Sequence, residues 1–273
     1  MTANASVTTA SGRVTIARPA RTAFVHDLVT VARRALQGAL RDPAAVIPAL
    51  IIPVFFFAVN VGSLGGVAQA IGGLDYTAFQ LPVAVIFAVT GVSRANALVA
   101  DISSGYFERL LLTPVNRLAL LLGLMAADFV LVVALCIPVL VMGTIVGVSF
   151  ATGILGMLAF VLLAGVWGLA FTGFPYTIAL RTGNPGAVAA SYNLFFPFAF
   201  LTTAYVPADA LSGWLATVAK FNPVTYVLGG LRSLVMTGWD AGAVGGALIA
   251  IAIVGTVSIG LALAALRRRV RIP

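Results

Sequence analysis

The stretch LALLLGLMAADFVLVVALCIPVLVMGTIVG, residues 118–147, carries a single charge, Asp128. At ~1.5 Å of rise per residue, a helix of that length is longer than the ~30 Å hydrocarbon core of a bilayer. Five other runs share its character: Ala44–Leu64, Phe79–Ala100, Phe150–Leu180, Ala187–Tyr205 and Ala241–Leu266. Each reaches the ~20 residues a spanning helix requires, so the expected fold is an all-α membrane protein with six transmembrane helices. The runs 118–147 and 150–180 exceed that length and are expected to tilt, bend or project into the cytoplasm. Pro48, Pro53, Pro82, Pro138, Pro175 and Pro197 lie inside the runs, where membrane helices tolerate proline and kink.

The composition of the whole chain agrees. Of 273 residues, 61% are hydrophobic and 9% charged, with a mean hydropathy of +1.09, whereas a soluble domain is about 25% charged. Water cannot be the solvent for most of such a chain. The net charge of +8 does not mark a nucleic-acid-binding protein, because the arginines lie between apolar runs rather than on one face. There they set orientation. With the N-terminus inside, 14 of the 16 basic residues fall on the cytoplasmic side or its edge, and only Lys220 and Arg232 fall outside. That asymmetry predicts an N-in, C-in protein of the cytoplasmic (inner) membrane, with anionic lipid head groups as partners of the arginines.

The chain then divides as follows. Residues 1–20 have no apolar core of a signal peptide and read as a flexible cytoplasmic tail, a transit peptide being the alternative. Residues 21–42 read as an amphipathic interfacial helix. Phe24, Leu28, Val31, Ala35 and Ala39 recur at helical spacing, while Arg33, Arg34, Gln37 and Arg41 take the other faces. A solvated helix packed on another protein is the alternative. Residues 43–266 form the six-helix domain, and 267–273 a basic cytoplasmic tail. Residues 206–240 are too apolar for an ordinary loop and hold Trp214, Phe221, Tyr226 and Trp239, residues that favour the membrane interface. Two short re-entrant helices in the outer leaflet, breaking near Asn222-Pro223, are predicted. A seventh span over Val224–Val235 is the competing reading, but that stretch is too short and contains Arg232.

The residues exclude several chemistries. One cysteine, Cys136, and one histidine, His26, cannot build a disulfide, a Cys-based metal site or a His-ligated one. No catalytic constellation is visible. A P-loop needs a lysine behind its glycines, and the lone lysine, Lys220, sits in Ala-Lys-Phe. Any nucleotide must therefore be hydrolysed by a partner. The loop DISSGYFERLLLTPVNR, residues 101–117, places about two helical turns over Tyr106–Leu112, with an apolar patch and the Glu108/Arg109 pair, stopped by Thr113-Pro114. On these grounds alone it is either a docking surface or a plain interfacial helix.

This loop resembles that of ABC-2 type exporter permeases of the daunorubicin-resistance kind. Their pattern runs acidic, small residues, Gly, hydrophobic, Glu, any residue, Leu-Leu, then Pro, and is matched by Asp101, Gly105, Glu108, Leu110, Leu111 and Pro114. A second hallmark, Asn-Pro-x-Thr-Tyr followed by an arginine, is matched by Asn222, Pro223, Thr225, Tyr226 and Arg232. The similarity covers roughly residues 20 to 270. Asp101 stands where glutamate is more usual, and Tyr106-Phe107 where threonine-leucine is common. The resemblance implies a permease subunit that pairs with a second permease chain, as a homodimer or heterodimer. It also implies a cytoplasmic ABC ATPase partner that binds ATP and Mg and presses on a coupling helix. The coupling interface would then comprise Asp101, Gly105, Tyr106, Phe107, Glu108, Arg109, Leu110, Leu111, Thr113 and Pro114. The expected function is efflux of a hydrophobic compound such as a drug, a lipid or a lipid-linked glycan.

Polar groups inside the runs are the remaining candidates, because an ionisable side chain in lipid is costly unless paired or hydrated. Asp128 lies about 15 Å along its helix, and Arg94 near the inner part of the second run. They either pair, line a hydrated cavity, or Asp128 meets another partner. Asn193 and Phe196, in the aromatic fifth run, are candidates for lining a pathway. An ion-gradient-driven secondary transporter is the alternative function. It would need more intramembrane ionisable groups or broken helices than are visible.

Overall fold

The structure is a computed structural model that describes residues 21–41, 43–112, 116–193 and 195–271. The tail expected over 1–20, the candidate interface residues Thr113 and Pro114, and the last two residues of the basic tail lie outside these. So does Asp42, the expected end of the amphipathic helix. The described residues form helices joined by short turns and bends, with no strand among them. Helix α1 (Arg21–Leu40) is the expected amphipathic helix, and α2 (Pro43–Gly72) the first apolar run. The second run is α3 (Tyr76–Thr90) followed by α4 (Ala95–Ser103), and α5 (Tyr106–Leu111) lies in the 101–117 loop. Two long helices follow, α6 (Arg117–Ile145) and α7 (Gly153–Thr182), and then two short ones, α8 (Pro185–Asn193) and α9 (Phe195–Phe200). Helices α10 (Gly213–Phe221) and α11 (Pro223–Arg232) precede the closing helix α12 (Ala241–Arg271).

Five segments among the described residues are long and apolar enough to cross a membrane: Ile47–Ala70, Tyr76–Ser103, Arg117–Ile145, Gly153–Thr182 and Ala241–Val270. Three expectations change. Helix α2 continues past Leu64 to Gly72, because Val67, Ala68 and Ala70 keep helix-compatible chemistry beyond the glycine pair. The expected span Phe79–Ala100 is interrupted between Thr90 and Ala95. The helix expected over Ala187–Tyr205 ends at Phe200, its described parts being α8 and α9 on either side of Leu194, which lies outside the described residues. By contrast, helices α10 and α11 meet at Asn222-Pro223, as expected. Pro223 sits in the first turn of α11, where no N–H is needed.

Two apolar cores hold the bundle. One joins α2, α3, α9 and α11 with the second half of α6, the first halves of α7 and α12, and includes Val89, Val132, Trp167 and Ile251. It also contains the single cysteine, Cys136, fully buried on α6. The other joins α1, α4, α5 and α8 with the opposite halves of α6, α7 and α12, and includes Leu98, Phe107, Leu124, Tyr176 and Ala262. Between them runs a polar layer. The Trp167 indole N–H donates to Thr90 Oγ1 at 3.0 Å, the Ser258 hydroxyl donates to the Ala170 carbonyl, and Asp128 collects three donors. Helices α7 and α12 touch at this level because Gly173 has no side chain: a Cβ there would collide with the Ser258 backbone.

Candidate functional site

The α4–α5 elbow is built by Gly105, whose φ of 68° is a left-handed conformation that costs glycine little. It lets α5 leave α4 within two residues. The Gly105 N–H donates to the Ile102 carbonyl at 3.1 Å, and the Arg109 N–H to the Gly105 carbonyl at 3.2 Å. Phe107 points inward and is 1% exposed in the α5 core. Tyr106, Glu108, Arg109 and Leu112 are exposed, and Leu110 is partly buried against the same core. The short helix is thus an amphipathic plug, with Phe107 as anchor and a mixed polar and apolar outer face.

Two braces hold this plug, one on each side. Arg34 of α1 pairs with Asp101 at 2.5 Å and lies over the Tyr106 ring at 4.3 Å. Arg269, in the last turns of α12, pairs with Glu108 at 3.3 Å and donates to the Leu180 carbonyl at the end of α7 at 3.0 Å. Farther along, Asn116 caps α6 by accepting from the Leu118 N–H, and its own N–H donates to Asp27 of α1 at 3.2 Å. The amphipathic helix, the 101–117 loop and the C-terminal helix therefore form one connected surface at this end.

At the opposite end, Asn222 closes a junction. Its side-chain oxygen accepts from the Val224 N–H, capping α11, while its amide donates to the Phe198 and Leu201 carbonyls at 2.6 and 2.9 Å. The Tyr226 hydroxyl donates to the Lys220 carbonyl at 2.7 Å, and the Thr225 hydroxyl is buried. Arg232 turns inward. It donates to the Phe79 carbonyl, Thr203 Oγ1 and the Ala204 carbonyl at 3.1–3.2 Å, with its guanidinium 3.4 Å from the centre of the Phe79 ring. Gln80 adds a second donor to the Ala204 carbonyl at 3.0 Å. The arginine of this motif is a clamp on backbone carbonyls and an aromatic face.

The buried carboxylate of Asp128 meets Arg94, but not its guanidinium. Asp128 Oδ1 accepts from the Arg94 backbone N–H at 2.7 Å, and Oδ2 accepts from the Tyr176 and Ser93 hydroxyls at 2.7 and 3.1 Å. Of the three arrangements open to Asp128, the side-chain charge pair with Arg94 is absent and other donors are met instead, while Arg94 Nε is buried without a hydrogen bond. Asn193 is exposed at the end of α8. Phe196 is 38% exposed, meets the Phe87 ring at a tilt and stacks on Phe200. Neither lies at the α5 end of the bundle.

The ABC-2 type transporter family model matches residues 26–236, more than half of the chain. The chain belongs to the ABC-2 type transporter family. It is similar to a daunorubicin resistance ABC transporter permease protein of Streptomyces coeruleorubidus, 26% identical over 83% of this chain and 82% of the relative. A probable doxorubicin resistance ABC transporter permease protein of Mycobacterium tuberculosis is 27% identical over 79% of each chain. Putative transport permease ycf38 of Cyanophora paradoxa is 25% identical over 77% of this chain and 74% of its own. The protein is thus an ABC-2 permease, a multi-pass transport component of the cytoplasmic membrane. In this family nucleotide is bound by a partner ATPase.

Sequence reading alone leaves several contacts of this ABC-2 permease unassigned. Arg34 and Arg269 are visible as basic residues, yet nothing in an arginine-rich helix or an Arg-Arg-Arg triplet says which one pairs. Ser93, Tyr176 and Gln80 are single polar residues in apolar runs. That placement is the one signal that marks them, since a buried hydroxyl or amide needs a partner.

Proposed function

We propose that this permease subunit pairs with a second permease chain and receives a cytoplasmic ABC ATPase on α5, exporting a hydrophobic compound. The observation that carries this reading is the α5 plug. It is anchored by Phe107, braced by Arg34 and Arg269, and presents Tyr106, Glu108, Arg109 and Leu112 outward. An ATPase pressing on this face meets a part that does not yield by itself, so its motion passes to α1, α4 and α12. In the full topology, α8 and α9 make a fifth crossing between the five long segments, giving six spans with both ends inside, and α10–α11 re-enter from outside. Hydrophobic cargo suits the recess of about 310 Å³ between α7, α8 and α9, walled by Phe171, Phe174, Phe195 and Phe198. The drug-resistance names of two relatives favour a drug-like compound within that class.

The test is co-purification. Expressed with a candidate ABC ATPase from the same organism, the chain should hold that subunit through detergent extraction, and cargo efflux from proteoliposomes should need ATP in the ATPase-facing compartment. Efflux that survives ATP depletion and collapses with the proton gradient would replace this reading with a gradient-driven transporter.

A further inference from the structure

The interruption of the second apolar run divides it between the two cores: α3 packs in one, α4 and α5 in the other. A break inside an apolar run frees backbone N–H groups that must find partners away from water. Here they do. The Arg94 N–H goes to Asp128 on α6, and the Ala95 N–H to Ser93 Oγ at 3.1 Å. Asp128 also takes the Ser93 hydroxyl and the Tyr176 hydroxyl of α7. One fully buried carboxylate therefore joins the start of α4 to two long helices, at the level where the two cores meet.

The arm beyond this point is stiff. Helix α4 runs into the elbow with the Ser104 N–H bonded to the Ala100 carbonyl at 3.0 Å, and the elbow is pinned by Phe107. There is also room for it to move. A cavity of about 100 Å³, lined by Val31, Arg34, Arg94, Asp101, Tyr106 and Leu124, separates part of the arm from α1 and α6. Flexing is thus easiest at Gly91–Arg94, where no helix ladder runs.

We propose that residues 91–94 are a hinge between α3 and the coupling arm α4–α5, and that Asp128 is the positioning residue that ties this hinge to α6 and α7. Displacement of α5 then carries the inner halves of α6 and α7 with it instead of being lost in bending at residue 92. A carboxylate in this place is costly unless every donor is kept, which makes the tie hard to open. The transport role of the hinge rests on the ATPase reading above; the tie itself does not.

Two measurements test it. In the purified permease alone, Asp128→Ala should raise amide exchange over residues 91–98 by about tenfold or more, the effect of losing a charged hydrogen-bond acceptor. Exchange over 132–145 should stay as in wild type. Asp128→Asn, whose amide oxygen still accepts from the Arg94 N–H, should restore most of the protection. Tyr176→Phe, which removes one donor, should shift exchange in the same direction by less and serves if the alanine variant does not accumulate. In the complex with its ATPase, Asp128→Ala should lower cargo moved per ATP several-fold while hydrolysis persists, with Asp128→Asn intermediate. Unchanged exchange over 91–98, or exchange raised equally along all of α6, overturns the tie. A loosened 91–98 segment with undiminished cargo per ATP overturns the coupling role. Failure of any ATPase to bind wild-type permease instead counts against the proposed function and leaves the exchange result standing.

Discussion

Reversing Glu108 to arginine separates the coupling role of α5 from its stability. Glu108 meets Arg269 at 3.3 Å, with the two side chains 52% and 26% exposed. An exposed pair of this kind contributes about 0.2–1 kcal/mol. Replacing the attraction by a repulsion of similar size makes the cost of Glu108→Arg no more than about 2 kcal/mol. Phe107, the Arg34–Asp101 pair and the Arg269 bond to the Leu180 carbonyl are untouched. The variant should therefore extract, run as a single species and melt within a few degrees of wild type, yet lose most ATP-driven efflux in proteoliposomes. Adding Arg269→Glu re-creates an opposite pair but gives up the bond to the Leu180 carbonyl, so it should recover only part of the melting temperature and none of the efflux, because the exposed half of residue 108 is the part available to the ATPase. Wild-type efflux by Glu108→Arg would refute the reasoning. So would full recovery of efflux in the double variant, which would confine Glu108 to an internal brace.

Other outcomes follow from the same contacts. Asn222→Asp keeps the cap on α11 but loses both donors to α9 and its exit, whereas Asn222→Ala loses all three bonds. Thermal unfolding in detergent should place the aspartate variant at or below alanine, because its buried carboxylate oxygen faces the Phe198 and Leu201 carbonyls, whereas alanine loses the cap, about 1 kcal/mol, and the two amide bonds without that repulsion. Arg232→Lys has one compact charge where three separate acceptors need a planar fork, so protease cleavage within 201–240 should quicken, and more so in Arg232→Gln. Gly105→Ala places a Cβ on a residue at φ 68°, a cost of about 1 kcal/mol. It should change the elbow more than the fold, weakening ATPase retention on a pull-down while leaving the melting temperature close to wild type.

Hydropathy and spacing reveal this fold where a segment's partners are itself and lipid. Helices α6 and α7 read as single long runs because each satisfies its own backbone, and α1 reads as amphipathic because its apolar positions recur. The break at 91–94 is hidden for the opposite reason. Its freed N–H groups are met by Asp128, more than thirty residues away, and by Ser93, neither of which alters the local hydropathy. In the coupling loop, the residue types of α5 were legible, but their braces were not. A salt bridge leaves no periodic mark, and fifteen arginines offer many pairings for few acids. Arg232 is harder still, because carbonyl oxygens are its main partners and every residue has one.

The burial of Cys136 has a practical consequence. The native thiol is shielded within α6 and is the chain's sole sulfhydryl, so maleimide dyes added to the folded protein will pass it by. A reporter cysteine placed on α5 or α10 can then carry a fluorophore or spin label in an otherwise wild-type chain, with no need to rebuild a packed interior around a substituted residue.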